Sequence, residues 1–179
     1  AYRLRACDLE EEIRRKQQIL DYLKEISTLL EQLPSQLWTI RQQTSPGIYR
    51  LEFMKGEELI LSPQQLEFFP QWVALAPFAF PSQRNCWESL MEGRDESFSA
   101  LGIMEEDARR LGMPAALSCG LYSPPVPSLY TVVDITEENS SCVQYLSHLS
   151  SYMKEHGLKA AGDPLCRTFL SMNKRENYR

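Results

Sequence analysis

Read as a pattern of apolar and polar positions, the chain changes character at Pro34. Between Asp8 and Leu33 there is neither glycine nor proline, and Ile19, Leu23, Ile26, Leu30 and Leu33 recur at steps of 4, 3, 4 and 3. Leu9 and Ile13 extend the stripe upstream, and Glu10, Glu11 and Glu12 lie near its start, where the helix dipole favours acids. This spacing predicts a heptad seam. A helix of about 25 residues is about 38 Å long at 1.5 Å per residue, which is long for one packed on a small domain. Residues 1–34 are therefore expected to form a coiled-coil helix that pairs two copies, with Ile13, Ile19, Leu23, Ile26 and Leu30 at the seam. The alternative is a helix folded back on its own core.

Beyond Pro34 the segments are short and punctuated by turns. Leu37 to Gln42, then Ser45-Pro46-Gly47 and Ile48 to Met54, read as an interrupted strand in which Tyr49, Leu51 and Phe53 alternate with Arg50 and Glu52, one face buried and the other polar. Ser62 and Pro63 suit the cap and first turn of a helix from Pro63 to Ala76. Strands follow at Phe80 to Trp87 and Ser97 to Met104 around a turn at Glu92-Gly93-Arg94-Asp95. A brief helix runs from Glu105 to Leu111. The proline-rich run Tyr122 to Pro127 reads as irregular. It leads into a strand from Ser128 to Ile135, a helix from Thr136 to His156 capped by Gly157, and strands at Leu158 to Ala161 and Leu165 to Met172. The first half thus reads strand, helix, strand, strand, and the second strand, helix, strand. Two such units in tandem predict an α+β domain with a pseudo-twofold over residues 35–179.

Composition narrows the function. The 19 Lys+Arg against 24 Asp+Glu give a net charge of −5, and the longest basic run is Arg14-Arg15-Lys16, so nothing here resembles a phosphate-neutralising face. Five cysteines without a Cys-x-x-Cys pair, and two histidines, argue against a zinc site or a disulfide framework. No metal and no cofactor is expected. Leu59 to Pro81 is apolar but interrupted by four prolines, so it is not a membrane span, and no secretory signal opens the sequence. A reducing cytoplasm is the expected location.

The order of several phrases then becomes informative: the heptad helix; Trp72-Val73-Ala74-Leu75-Ala76-Pro77-Phe78-Ala79-Phe80-Pro81-Ser82-Gln83-Arg84; Leu101-Gly102-Ile103 with Ala108 and Leu111-Gly112; and Tyr152-Met153-Lys154-Glu155-His156-Gly157-Leu158 with Gly162-Asp163-Pro164. In this order they resemble the C-terminal half of MerR-family transcriptional regulators, a dimerisation helix followed by a GyrI-like effector-binding domain. The resemblance implies a bacterial regulator whose long helix pairs antiparallel with its twin and whose pocket, between the two halves, takes a small molecule. It further implies that DNA is contacted only through an N-terminal winged helix-turn-helix, and no such pattern precedes the stripe in this sequence.

The resemblance also supplies candidate site residues. The family's ligand-facing acid falls at Arg167, with Leu165 and Phe169 on the same side by alternation. A guanidinium there favours an anion, or pairs with an internal acid such as Glu52, where the family's carboxylate would favour a lipophilic cation. Tyr49, Phe53, Trp72, Phe78, Phe80, Trp87, Tyr130 and Phe169 are the aromatic candidates for a pocket, with Tyr49, Trp72 and Tyr130 favoured for their polar handles, and Glu52, Asp134 and Arg167 the charged ones. Plain core packing is the alternative for the aromatics, and exposed alternation for the charges. Catalysis has thinner support: Cys119 or Cys166 with His148 or His156, or a hydrolase using Glu52 in a stand-alone GyrI-like protein.

Overall fold

The computed structural model describes residues 2–135 and 141–169 of the chain. Helix α1 spans Tyr2–Gln32 and gives way at Pro34 to a 3-10 turn, Leu33–Gln36. Strands β1 (Arg41–Thr44), β2 (Ile48–Lys55) and β3 (Glu58–Leu59) follow, then α2 (Pro63–Val73), β4 (Phe80–Asn85), the short α3 (Trp87–Met91), β5 (Ser97–Met104) and α4 (Glu105–Arg110). A second 3-10 turn, Ala115–Cys119, precedes β6 (Leu121–Ser123) and β7 (Pro127–Tyr130), and α5 (Cys142–Tyr145), α6 (Ser147–Glu155) and β8 (Leu165–Arg167) complete the described elements. The fold is α+β, a long N-terminal helix beside an antiparallel sheet ordered β3-β2-β5-β4-β8, with β6 also on β2; β1 and β7 pair separately. Among the described residues no helix is long and apolar enough to cross a membrane.

Local chemistry accounts for the elements that matter most. Ser62 caps α2 in a reciprocal box: its hydroxyl accepts from the Gln65 amide at 3.3 Å, and its own amide donates to the Gln65 side chain at 3.0 Å. On β5, Leu101 and Ile103 face the helices, and they pack with Leu51, Trp72 and Phe78 into the main core. A second core gathers Cys142, Tyr145, Leu146 and Leu149 against Ile40, Leu129, Val133 and Cys166.

Several expectations are corrected. Tyr122 and Ser123 are not irregular: they belong to β6 and pair with β2, because the prolines begin only at Pro124 and leave their amides free to join the ladder. The helix expected from Thr136 to His156 is two helices separated at Leu146, with residues 136–140 outside the described part. Leu158 to Ala161 forms no strand. The last strand ends at Arg167, and residues 170–172, expected to continue it, also lie outside the described part. Nor is β2 buried on one face only. Leu51 is 0% exposed, yet Arg50 on the opposite face is 5% exposed, because that face carries ion-paired side chains rather than water.

Alternation and register define this second face. Arg50 and Phe80 both pair with Gly102, Glu52 and Ser82 with Ala100, Arg84 with Phe98, and Arg167 with Ser82, so all of these project to one side of the sheet. The centre of the face is kept low by Gly102 and Ala100. A Cβ at Gly102 would lie 2.8 Å from the Phe80 ring. Gly102→Ala is therefore expected to destabilise the protein by about 1–3 kcal/mol through overpacking, read as a lower urea midpoint; an unchanged midpoint would mean that the Phe80 ring is free to move aside.

Candidate functional site

Two groups of side chains occupy the second face. The first is an ion network made possible by the small residue at Ala100, over which β2 and β4 reach each other. Glu52 accepts from Arg50 at 3.0 Å and from Arg84 at 2.7 and 3.0 Å. Arg84 also donates to Asp163 at 2.7 Å, and its guanidinium stacks on Phe98 at 3.8 Å. The Asp163 carboxylate in turn accepts from the Trp87 amide at 2.9 Å, fixing the Gly162-Asp163-Pro164 turn. Burial pushes the Glu52 carboxyl up, but the hydrogen bonds and charges of Arg84 and Arg50 outweigh it and hold the group below the usual carboxylate range. A carboxylate so engaged is a structural anion and a poor proton acceptor.

The second group centres on Arg167. Its guanidinium lies over the Phe80 ring at 4.1 Å and the Phe169 ring at 4.7 Å, and it donates to the Tyr22 hydroxyl at 3.0 Å. Tyr22 belongs to α1, 145 positions away in sequence, and its ring packs on Phe78 with centroids 4.8 Å apart. Burial raises the Tyr22 hydroxyl pKa against the opposing charge of Arg167, so the phenol is neutral at ordinary pH. The Arg167 Nε is buried without a hydrogen-bond partner.

Arg167 forms part of the wall of a cavity of about 360 Å³. Tyr22, Ile26 and Leu29 of α1 form one side, the Pro46-Gly47 turn and Met104 another, and α4 the third. Two of the acids of α4 lie against its own arginines: Arg109 pairs with Glu105, and Arg110 lies 3.7 Å from Asp107 and 3.3 Å from Glu25 of α1. Burial raises the Asp107 carboxyl pKa even though Arg110 and Arg167 oppose it.

The residues singled out from the sequence divide between this face and the core. Phe80, Arg167 and Phe169 come together, and Tyr130 on β7 is close enough for Arg167 to influence its ionisation, although burial dominates and raises its pKa. Glu52 shares the face but is taken by Arg50 and Arg84, not by Arg167. Trp72 and Phe78 are core residues rather than cavity lining. Trp72 is 0% exposed and its indole donates to the Ala116 carbonyl at 2.8 Å. Tyr49 lies on the helix-bearing face, its ring tilted against that of Tyr122 with centroids 4.7 Å apart. Tyr22, Arg84 and Asp163 were not singled out; for Tyr22 there was a legible signal, its spacing of 3 and 4 from Ile19 and Ile26.

The expected seam of α1 is also divided. Ile19 and Ile26 pack with Tyr22 against the chain's own core, and Leu30 is half-buried. Ile13 (66% exposed) and Leu23 (49%) remain outside, together with Leu9 and Leu20. Positions 9, 13, 20 and 23 fall on one heptad frame of their own.

The cysteines and histidines do not form a dyad: among the described residues no hydrogen bond joins them. His148 contacts Thr131 and the Tyr145 carbonyl, and His156 stacks on Tyr152. Burial pushes the Cys166 thiol up to about 11, and burial with the neighbouring Asp95 pushes Cys142 up to about 12; neither is an activated nucleophile. Among the described residues no three His, Cys, Asp or Glu side chains converge as a metal site. No family model matches the chain, and no curated protein or solved structure is significantly similar to it.

Proposed function

We propose that this chain is the effector-sensing and dimerisation part of a bacterial MerR-type transcriptional regulator, a GyrI-like domain that binds a small apolar or aromatic molecule. The observation that carries the reading is that α1 is itself a wall of the cavity. An occupant touching Tyr22, Ile26 or Leu29 bears directly on the helix whose outer stripe is free for a second copy. The order of elements is in keeping with a GyrI-like pseudo-twofold: each half contributes strands and a helix, and α2 and the α5–α6 pair pack on the same side of the sheet.

The occupant of the outer stripe is a second copy of this chain. At 31 residues α1 is about 47 Å long. An antiparallel crossing centred near position 16 sets Leu9 against Leu23 and Ile13 against Leu20 across the two copies, which the four exposed positions satisfy in one register. The regulatory step is then a shift between two dimer arrangements, driven only by the ligand's differential affinity for them. DNA contact belongs to a domain outside this sequence.

Sedimentation equilibrium tests the dimer. The wild-type chain is expected to be a dimer and Ile13→Asp/Leu23→Asp a monomer with an unchanged far-UV spectrum, since neither side chain packs on the fold. A monomeric wild type would remove the dimerisation half of the proposal. Titration calorimetry with small aromatic probes tests the sensing half, and silence towards all of them would remove it.

A further inference from the structure

Resting on the sensing reading above, we infer that the molecule taken into this cavity carries a carboxylate on an aromatic or apolar body, and that the carboxylate captures Arg167 from the Tyr22 hydroxyl. Three observations converge on this. First, Arg167 is held by stacking on Phe80 and Phe169, which fixes the guanidinium plane while leaving its edges to hydrogen-bond. Second, among the described residues its one hydrogen bond goes to a neutral phenol, and Nε has no partner. A guanidinium presents five N–H donors in a fork that matches a carboxylate far better than a single hydroxyl. Third, the arginines around it are already matched to acids: Arg50 and Arg84 to Glu52, Arg109 to Glu105, and Arg110 to Glu25 and Asp107.

The apolar part of the wall agrees with this division of labour, beside a charged part made of Glu25, Glu105, Glu106 and Asp107 with Arg109, Arg110 and Arg167. Ile26, Leu29 and Met104 offer apolar surface for the body of the ligand, and Arg167 offers the anchor. Among the described residues no ion pair is seen between Arg167 and Glu105 or Asp107, which lie against Arg109 and Arg110 of α4. When the ligand takes Arg167, Tyr22 loses that charged hydrogen-bond partner while its ring stays against Phe78. The exchange is registered on α1, the dimer helix.

Titration calorimetry on the full chain with 1-naphthoate, 1-naphthamide and tetraphenylphosphonium tests the inference. The wild type is expected to bind naphthoate at least about tenfold tighter than naphthamide, the difference set by a charge-assisted bond. Arg167→Gln should remove that preference, so that naphthoate binds no tighter than naphthamide. Tyr22→Phe, which lacks the competing hydroxyl, should bind naphthoate more tightly than the wild type. Equal affinities of the wild type for naphthoate and naphthamide overturn the anion anchor, whether or not Arg167→Gln folds. Weaker naphthoate binding by Tyr22→Phe overturns the exchange. Binding of tetraphenylphosphonium or naphthamide without naphthoate overturns this inference and leaves the sensing reading standing, whereas silence towards all three probes removes both.

Discussion

Glu52→Ala is expected to destabilise the protein by about 3–5 kcal/mol, the range for stripping one partner from a buried ion network. The carboxylate is the hub of that network. Its removal leaves Arg50, almost fully buried, and Arg84 facing each other over Ala100, with Asp163 the one remaining ion-pair partner among the described residues. Urea denaturation at pH 7 measures the loss; a change below about 1 kcal/mol would mean that the network is solvated. The same group sets a pH dependence. Because the folded carboxyl titrates below its usual value of 4.5, its contribution is complete above pH 4.5 and is lost as the pH falls through the lower folded value. The stability gap between wild type and Glu52→Gln should therefore be widest near pH 7 and narrow progressively below pH 4.5. A gap that widens on acidification would contradict the ion pairing.

Trp72→Ala is expected to cost a similar amount, about 3–5 kcal/mol. The indole is enclosed by α2, β2 and the Ala115–Cys119 turn, and its N–H satisfies the Ala116 carbonyl. The neighbouring Gly120 lets the turn approach: a Cβ there would lie 2.8 Å from the indole and 2.9 Å from the Arg50 carbonyl oxygen. Truncation thus opens a cavity and also removes one of the two donors to the Ala116 carbonyl, leaving the Cys119 thiol at 3.0 Å. Against a total stability of about 5–15 kcal/mol for domains in general, this is enough to empty much of the folded state. Trp72→Phe keeps most of the volume and should lose about 0.5–1.5 kcal/mol through the lost indole hydrogen bond. Calorimetry on that folded variant separates core from pocket. Unchanged affinity for an aromatic probe is expected, and a large loss would return Trp72 to the cavity wall.

The elements most legible in the sequence are those whose information is local. The helix before Pro34, the Ser62 cap and the alternation of β5 each follow from neighbours within a few positions. Misread elements depend on partners far along the chain. Tyr122 and Ser123 become a strand because β2 has a free edge beside them, which no property of residues 121–127 reveals. Charged residues alternating with apolar ones read as a wet face; Arg50 and Glu52 are buried instead because Arg84, 32 positions beyond Glu52, meets them over a small residue. The seam of α1 carried two overlapping stripes, one for the chain's own core through Ile19, Tyr22 and Ile26, and one left outside through Leu9, Ile13, Leu20 and Leu23. A single heptad reading merges them. The Arg167–Tyr22 contact, which links the cavity to that helix, spans nearly the whole chain and has no local signature.

Coupling between cavity and dimer helix is read most directly from the separation of two α1 helices. Cys7 is exposed on α1, whereas the Cys142 and Cys166 thiols, pushed up to about 12 and about 11, react slowly at neutral pH. A nitroxide on Cys7, in a Cys86→Ser/Cys119→Ser background, reports the distance between copies by pulsed dipolar spectroscopy. An antiparallel pair centred near position 16 puts the labelled positions about 30 Å apart, from 1.5 Å per residue, and saturating 1-naphthoate is expected to shift that distribution. Absence of dipolar coupling, or a distribution that naphthoate leaves unmoved, would contradict a ligand-sensing dimer.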